Sequence, residues 1–81
     1  MIIKFFVNGK PKGTVQFGHG LDHPVFIGMG AELYEQVMLH NGTAGIVPSY
    51  HPELFRGITQ SISGRSFTIP GLGTVTVRVY Q

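Results

Sequence analysis

Histidine and carboxylate lie close together at two places in this 81-residue chain: His19 and His23 flank Asp22, and His51 stands two residues before Glu53. Such groupings could ligate a metal or exchange protons. Zinc catalysis needs three protein ligands converging on an open fourth position. His19 and His23 sit in a loop punctuated by Gly18, Gly20 and Pro24, so their spacing gives them no common face. The remaining histidine, His40, falls where a helix ends and reads as a C-terminal cap. His51 with Glu53, or Asp22 with His23, could form an acid–base pair, but neighbours in sequence do not by that fact converge on a substrate. Ser61, Ser63 and Ser66 occupy strand and hairpin positions, and no strand-turn-helix presents a serine as a nucleophile. The expectation is therefore no catalytic residue, no metal site and no cofactor.

Anion binding is the chemistry with the most support. Val25-Phe26-Ile27-Gly28-Met29-Gly30-Ala31-Glu32-Leu33 reads as a short apolar strand passing through a Gly-x-Gly turn into a helix that has no side-chain N-cap. Backbone N–H groups at such a helix start can face an anion. The candidate donors are Gly28, Met29 and Gly30, with Arg56, Arg65 or Lys12 as side-chain partners. Tyr50, Tyr34 or Phe26 could stack on a base, and His19 or His23 could reach a phosphate or ribose. Leu33 occupies the place of the third glycine of a dinucleotide-binding fingerprint. The competing account is that these glycines serve a tight turn that packs closely.

The elements that must position these residues follow from periodicity and punctuation. Ile2 to Val7 is a strand leading into Asn8-Gly9, the hairpin signal in which both central residues take positive φ. The return strand is expected over residues 13–17, with Pro11 placing the tip at an edge or in a longer loop. Ile3, Phe5 and Val7 on one side and Ile2 and Phe6 on the other mark the first strand as central, or as covered by another subunit. Ala31 to His40 is the best helix, with Leu33, Tyr34, Val37 and Met38 on one face and Leu39 on the polar side. A short strand is expected at Gly45-Ile46-Val47, and a short helix starting near Ser49 with Pro52 in its first turn and Gly57 at its end. Ile58 to Ile62, Ser66 to Ile69 and Thr74 to Tyr80 then read as an antiparallel meander. Val75, Val77 and Val79 point inward from the last strand, and Thr74, Thr76, Arg78 and Tyr80 outward. The fold class is α+β: a single domain over residues 1–81, with an antiparallel sheet packed on one main helix.

Composition and charge bound the function. Charged residues are 12% of the chain and cysteine is absent, against roughly 25% charged in an average domain. A chain this short buries only about 60% of its unfolded surface. Few charges to cover the surface and no disulfide to reinforce it make a homo-oligomer, or obligate binding to a partner, the expectation. Residues 1–20 carry Lys4, Lys10 and Lys12, and residues 56–81 carry Arg56, Arg65 and Arg78. The middle holds Asp22, Glu32, Glu35 and Glu53 and no Lys or Arg. If the basic ends pair in one sheet while the middle forms a second layer, the surface is dipolar. Six basic residues split between two ends give little grip on extended nucleic acid.

Lys4 is followed by only three apolar residues before Asn8, and no apolar run nears the ~20 residues of a membrane span, so a cytoplasmic protein without a membrane partner is expected. These features fit a non-enzymatic, oligomeric protein that sequesters a small phosphorylated, nucleotide-like ligand. An inhibitor of the kind encoded by phages or mobile elements, binding a host protein surface, and a structural subunit of an assembly such as a virion are the alternatives.

Overall fold

In a computed structural model describing residues 1–18 and 23–81, the chain forms a five-stranded antiparallel sheet with two helices. The elements are β1 (Ile2–Val7), β2 (Lys10–Gln16), β3 (Val25–Gly28), α1 (Gly30–His40), α2 (Pro52–Ile62), β4 (Ser66–Ile69) and β5 (Gly73–Tyr80). Across the sheet the order is β3-β2-β1-β5-β4. The strand that is apolar on both faces, β1, holds the centre.

Asn8 and Gly9 both take positive φ, 51° and 83°, as a primed hairpin turn requires. Asn8 also ties that turn to β5, because its N–H donates to the Thr74 carbonyl (2.9 Å) and its Oδ1 accepts the Thr74 N–H (3.1 Å). Strand β2 begins at Lys10, earlier than residue 13. An irregularity opposite Phe5 and Phe6 absorbs one residue, and Pro11 lies beyond the stretch paired with β3, which starts at Gly13.

Helix α1 occupies the expected span. Leu33, Val37 and Met38 are buried, Tyr34 is half-buried and Leu39 is exposed. His40 is the last residue of the helix, its Nδ1 3.0 Å from the Gln36 carbonyl one turn back, and the C-cap itself is Asn41. The region after α1 differs from expectation in two ways. Residues 45–47 form no strand: Gly45 closes a turn, and Ile46 and Val47 have no regular structure. Residues 58–62 are helical: α2 starts with Pro52 in its first turn and continues through Gly57. Phe55, Ile58, Thr59 and Ile62 fall on one helical stripe and are its buried residues, so the face that packs outweighs the ~1 kcal/mol weakness of one glycine. The C-terminal strands are consequently a hairpin of two, and a second helix shares the covering layer.

Alternation along the strands separates two faces. Ile3, Phe5, Val15, Phe67, Ile69, Val75 and Val77 point beneath the helices and join Leu33, Val37, Met38, Ile58 and Ile62 in one core. Phe17 continues the packing outward, edge-on to Phe55 at 5.0 Å and tilted against Tyr34 at 5.8 Å. Thr59 is the buried polar residue, and its hydroxyl donates to the Arg56 carbonyl at 3.0 Å. Among the described residues no helix is long and apolar enough to cross a membrane.

Candidate functional site on the open sheet face

The Gly28-Met29-Gly30 turn is a packing device. A Cβ on Gly30 would overlap the Thr14 carbonyl, one on Gly13 would overlap the Gly30 nitrogen, and one on Gly28, where φ is +60°, would stand 2.7 Å from the Lys12 oxygen. Glycine on both sides lets the start of α1 rest directly on the backbone of β2. Met29 caps the helix without a side-chain hydrogen bond, and its own N–H donates to the Lys12 carbonyl at 3.0 Å. Of the three amides named from sequence, Met29's is thus occupied and Gly30's is covered by Gly13.

The proposed side-chain partners of that turn lie apart from one another. Arg65 immediately precedes β4, on the edge of the sheet opposite β3. There it lies over the Phe67 ring at 5.2 Å and donates to Asn41 Oδ1 at 3.4 Å, at the C-terminal end of α1, where the helix dipole favours a cation. Arg56 is exposed on α2, Tyr50 is exposed before the start of α2, and His23 is exposed ahead of β3. His19 and Asp22 lie outside the described residues. Among those described, no cluster of three histidine, aspartate, glutamate or cysteine side chains gathers. Tyr34 borders a crevice of about 140 Å³ with Met38, Thr43 and Ile46, and burial pushes its phenol above the usual 10.0.

The helix-free face of the sheet brings together residues that the sequence left dispersed. Pairing of β1 with β5 sets Lys4 directly beside Arg78, and pairing with β2 sets Thr14 on its other side and Ile27 beyond. Four strands therefore present one row: Ile27, Thr14, Lys4, Arg78. The flanking rows carry Ile2 beside Tyr80 and Phe6 beside Thr76. Lys4 Nζ sits 5.4 Å from the centre of the Tyr80 ring.

Two hollows open on this face. One, about 240 Å³, is lined by Lys4, Lys12, Thr14, Ile27 and Gly28 among others, and the second, about 270 Å³, by Phe6, Gly9, Thr76 and Arg78. Each combines a threonine hydroxyl and an apolar wall with cations, Lys4 and Lys12 in the first and Arg78 in the second. Like charges directly opposite on a sheet destabilise it, and no acidic side chain of the described residues lies on these strands. The strands carry Lys4, Lys10, Lys12 and Arg78 and no carboxylate side chain, while Glu32, Glu35 and Glu53 all ride on the helices. Among the described residues, strands from the two basic ends pair in one layer while Glu32, Glu35 and Glu53 lie in the helical one, with Arg56 on α2 as an exception.

Sequence alone places neither Lys4 nor Arg78 among the candidate ligand residues. The signal was partly there, in the outward position of Arg78 and the alternation of β1. What it lacked was the register that makes residues 4 and 78 neighbours. No protein-family model matches the chain, and the comparisons with curated proteins and with solved structures return no match either.

Proposed function

We propose that this chain is a non-enzymatic binding module that holds a small phosphorylated, nucleotide-like ligand on the open face of its sheet. The observation that carries this reading is the cross-strand pair Lys4 and Arg78 on a face without a carboxylate side chain. An anion laid across that pair turns a repulsion into two charge-assisted contacts. Lys12 supplies a third cation at the rim of the first hollow, and Thr14 or Thr76 a hydroxyl. Phe6 and Tyr80, one row to either side, give a base an aromatic surface to stack on. Relative to the expectation from sequence, the proposed ligand moves from the Gly28–Gly30 helix start to the opposite side of β2, where Gly28 and Lys12 remain at its rim.

Thermal denaturation with pyrophosphate, nucleoside mono- and triphosphates, and a short single-stranded oligonucleotide tests this. A ligand at a hundred times its Kd adds about 2.7 kcal/mol to stability, which in a domain of this size raises Tm by about 10–20 °C. The expected result is such a rise with a mononucleotide, lost in the Lys4→Gln, Arg78→Gln double variant and reduced by salt. No rise with any phosphorylated compound, or a rise that the double variant keeps, overturns the assignment. A response to the oligonucleotide alone would replace the mononucleotide with extended nucleic acid.

A further inference from the structure

Strand β3 forms one edge of the sheet, and apart from its four-residue length and the proline before it, it carries none of the charges or bulges that normally keep an edge from pairing. Val25, Phe26, Ile27 and Gly28 contain no charge, and their three large side chains are 39%, 44% and 50% exposed. We infer that β3 pairs with β3 of a second copy of this chain, antiparallel, about a two-fold axis through Phe26.

The register follows from the backbone. Met29 N–H donates to the Lys12 carbonyl, and hydrogen-bonding direction alternates along an antiparallel strand. Ile27 and Val25 therefore direct their N–H and C=O toward β2, and Phe26 and Gly28 direct theirs away from it, to the free edge. In a two-fold pairing, residues directly opposite must lie on the same face of the joined sheet. Centring the axis on Phe26 satisfies both conditions. Phe26 meets its own counterpart as a reciprocal pair of N–H to C=O bonds, and the Gly28 N–H meets the carbonyl of Pro24 in the other copy. Pro24 has no N–H, so it fits at the end of such a ladder. Val25 opposes Ile27 of the second copy on the open face, twice by symmetry, and the two Phe26 rings meet on the helix side.

An axis on Ile27 also forms four bonds, but all of them involve Gly28, whose φ of +60° departs from the extended conformation. The Phe26 register keeps its central pair on extended residues. The product is one continuous sheet of twice the five strands, with the two basic faces on the same side. The hollow bordered by Ile27 then gains Val25 of the second copy as its outer wall.

Together the three side chains expose on the order of 250 Å² per copy, below the ~800 Å² per partner of a standard interface. The dimer is accordingly a concentration-dependent one. It stands whether or not the hollow takes an anion.

Sedimentation of the wild-type chain from micromolar to millimolar concentration is the first test, and a species of twice the 8.8 kDa chain mass is expected to grow with concentration. Phe26→Lys should weaken it by more than about tenfold, while Thr68→Lys, on the opposite edge, should leave it unchanged. The chain has no cysteine, so single-cysteine variants report the register. Opposed residues of a bonded pair have Cα atoms ~5.5 Å apart, within disulfide reach, whereas residues two positions off register are ~8 Å apart and outside it. Under mild oxidation Phe26→Cys should yield a linked dimer and Ile27→Cys should not. A lone chain mass at every concentration, or a dimer that Phe26→Lys leaves intact, would overturn the pairing, and linkage through Ile27→Cys in place of Phe26→Cys would overturn its register.

Discussion

The same five strands build two faces of one sheet, and a step of one residue along β1 carries the chain from one to the other. Phe5 is fully buried among the core side chains, while Phe6, next to it and chemically identical, lines an open hollow. Ile3 and Lys4 repeat the contrast. On the covered face, apolar area removed from water holds the fold together. The open face is left to contribute little to stability, and it is there that like charges are set side by side. The core and the paired cations are thus separated by strand alternation alone, without a separate loop or insertion to carry the second.

Truncating both phenylalanines is the sharpest way to break this contrast. Phe5→Ala should cost about 3–5 kcal/mol and Phe6→Ala less than ~1 kcal/mol, a difference that denaturant unfolding resolves easily. Equal losses would mean that the second face is also a core. Gly30→Ala should come next, at about 1–3 kcal/mol, because its Cβ meets the Thr14 carbonyl and neither backbone can retreat without separating α1 from β2. Gly57→Ala makes the opposite case. Nothing lies within 4 Å of that Cβ and the site is helical, so stability should rise by about 0.5–1 kcal/mol.

Smaller still is the response to Lys4→Gln or Arg78→Gln. Each should change unliganded stability by no more than ~0.5 kcal/mol, and in the favourable direction, since each removes a like-charge neighbour. A clear loss would show that the pair supports the fold and weaken the case for a ligand there. The effect confined to the narrowest window belongs to Tyr34 on the covered side. Burial raises its phenol above 10.0, so the folded state favours the protonated form. Its contribution is complete below the unfolded value and is lost as pH rises through the higher folded one. Tyr34→Phe should therefore flatten the alkaline fall in Tm.

What the sequence disclosed was local. Asn8-Gly9 announced its turn, the apolar spacing of Leu33, Val37 and Met38 announced α1, and the alternating valines of β5 announced which way Arg78 would point. Ile58 to Ile62 reads as a strand because β-branched Ile58, Thr59 and Ile62 follow a glycine, and the helical stripe shared with Phe55 emerges only when the segment is taken as a whole. The glycines of residues 28–30 were recognised as special, but the reason lies in Gly13 and Thr14 on another strand. Nothing in residues 28–30 themselves separates a tight contact from an anion cradle. The Lys4 and Arg78 pair depends on a register spanning most of the chain, which periodicity within each strand does not contain.

That long-range register has a consequence for how the molecule comes into being. Strand β5 lies between β1 and β4, and through Thr74 it also holds the first hairpin turn by way of Asn8. A nascent polypeptide halted between residues 62 and 73 has its opening hairpin and both helices, but β1 is left at an edge of its sheet with the flank that β5 covers open to water. The molecule must then wait for one late segment to slot in beside a strand made at the outset, the kind of distant contact that slows folding. Until it arrives, β1 presents a vacant flank as inviting to a stranger as to its own partner.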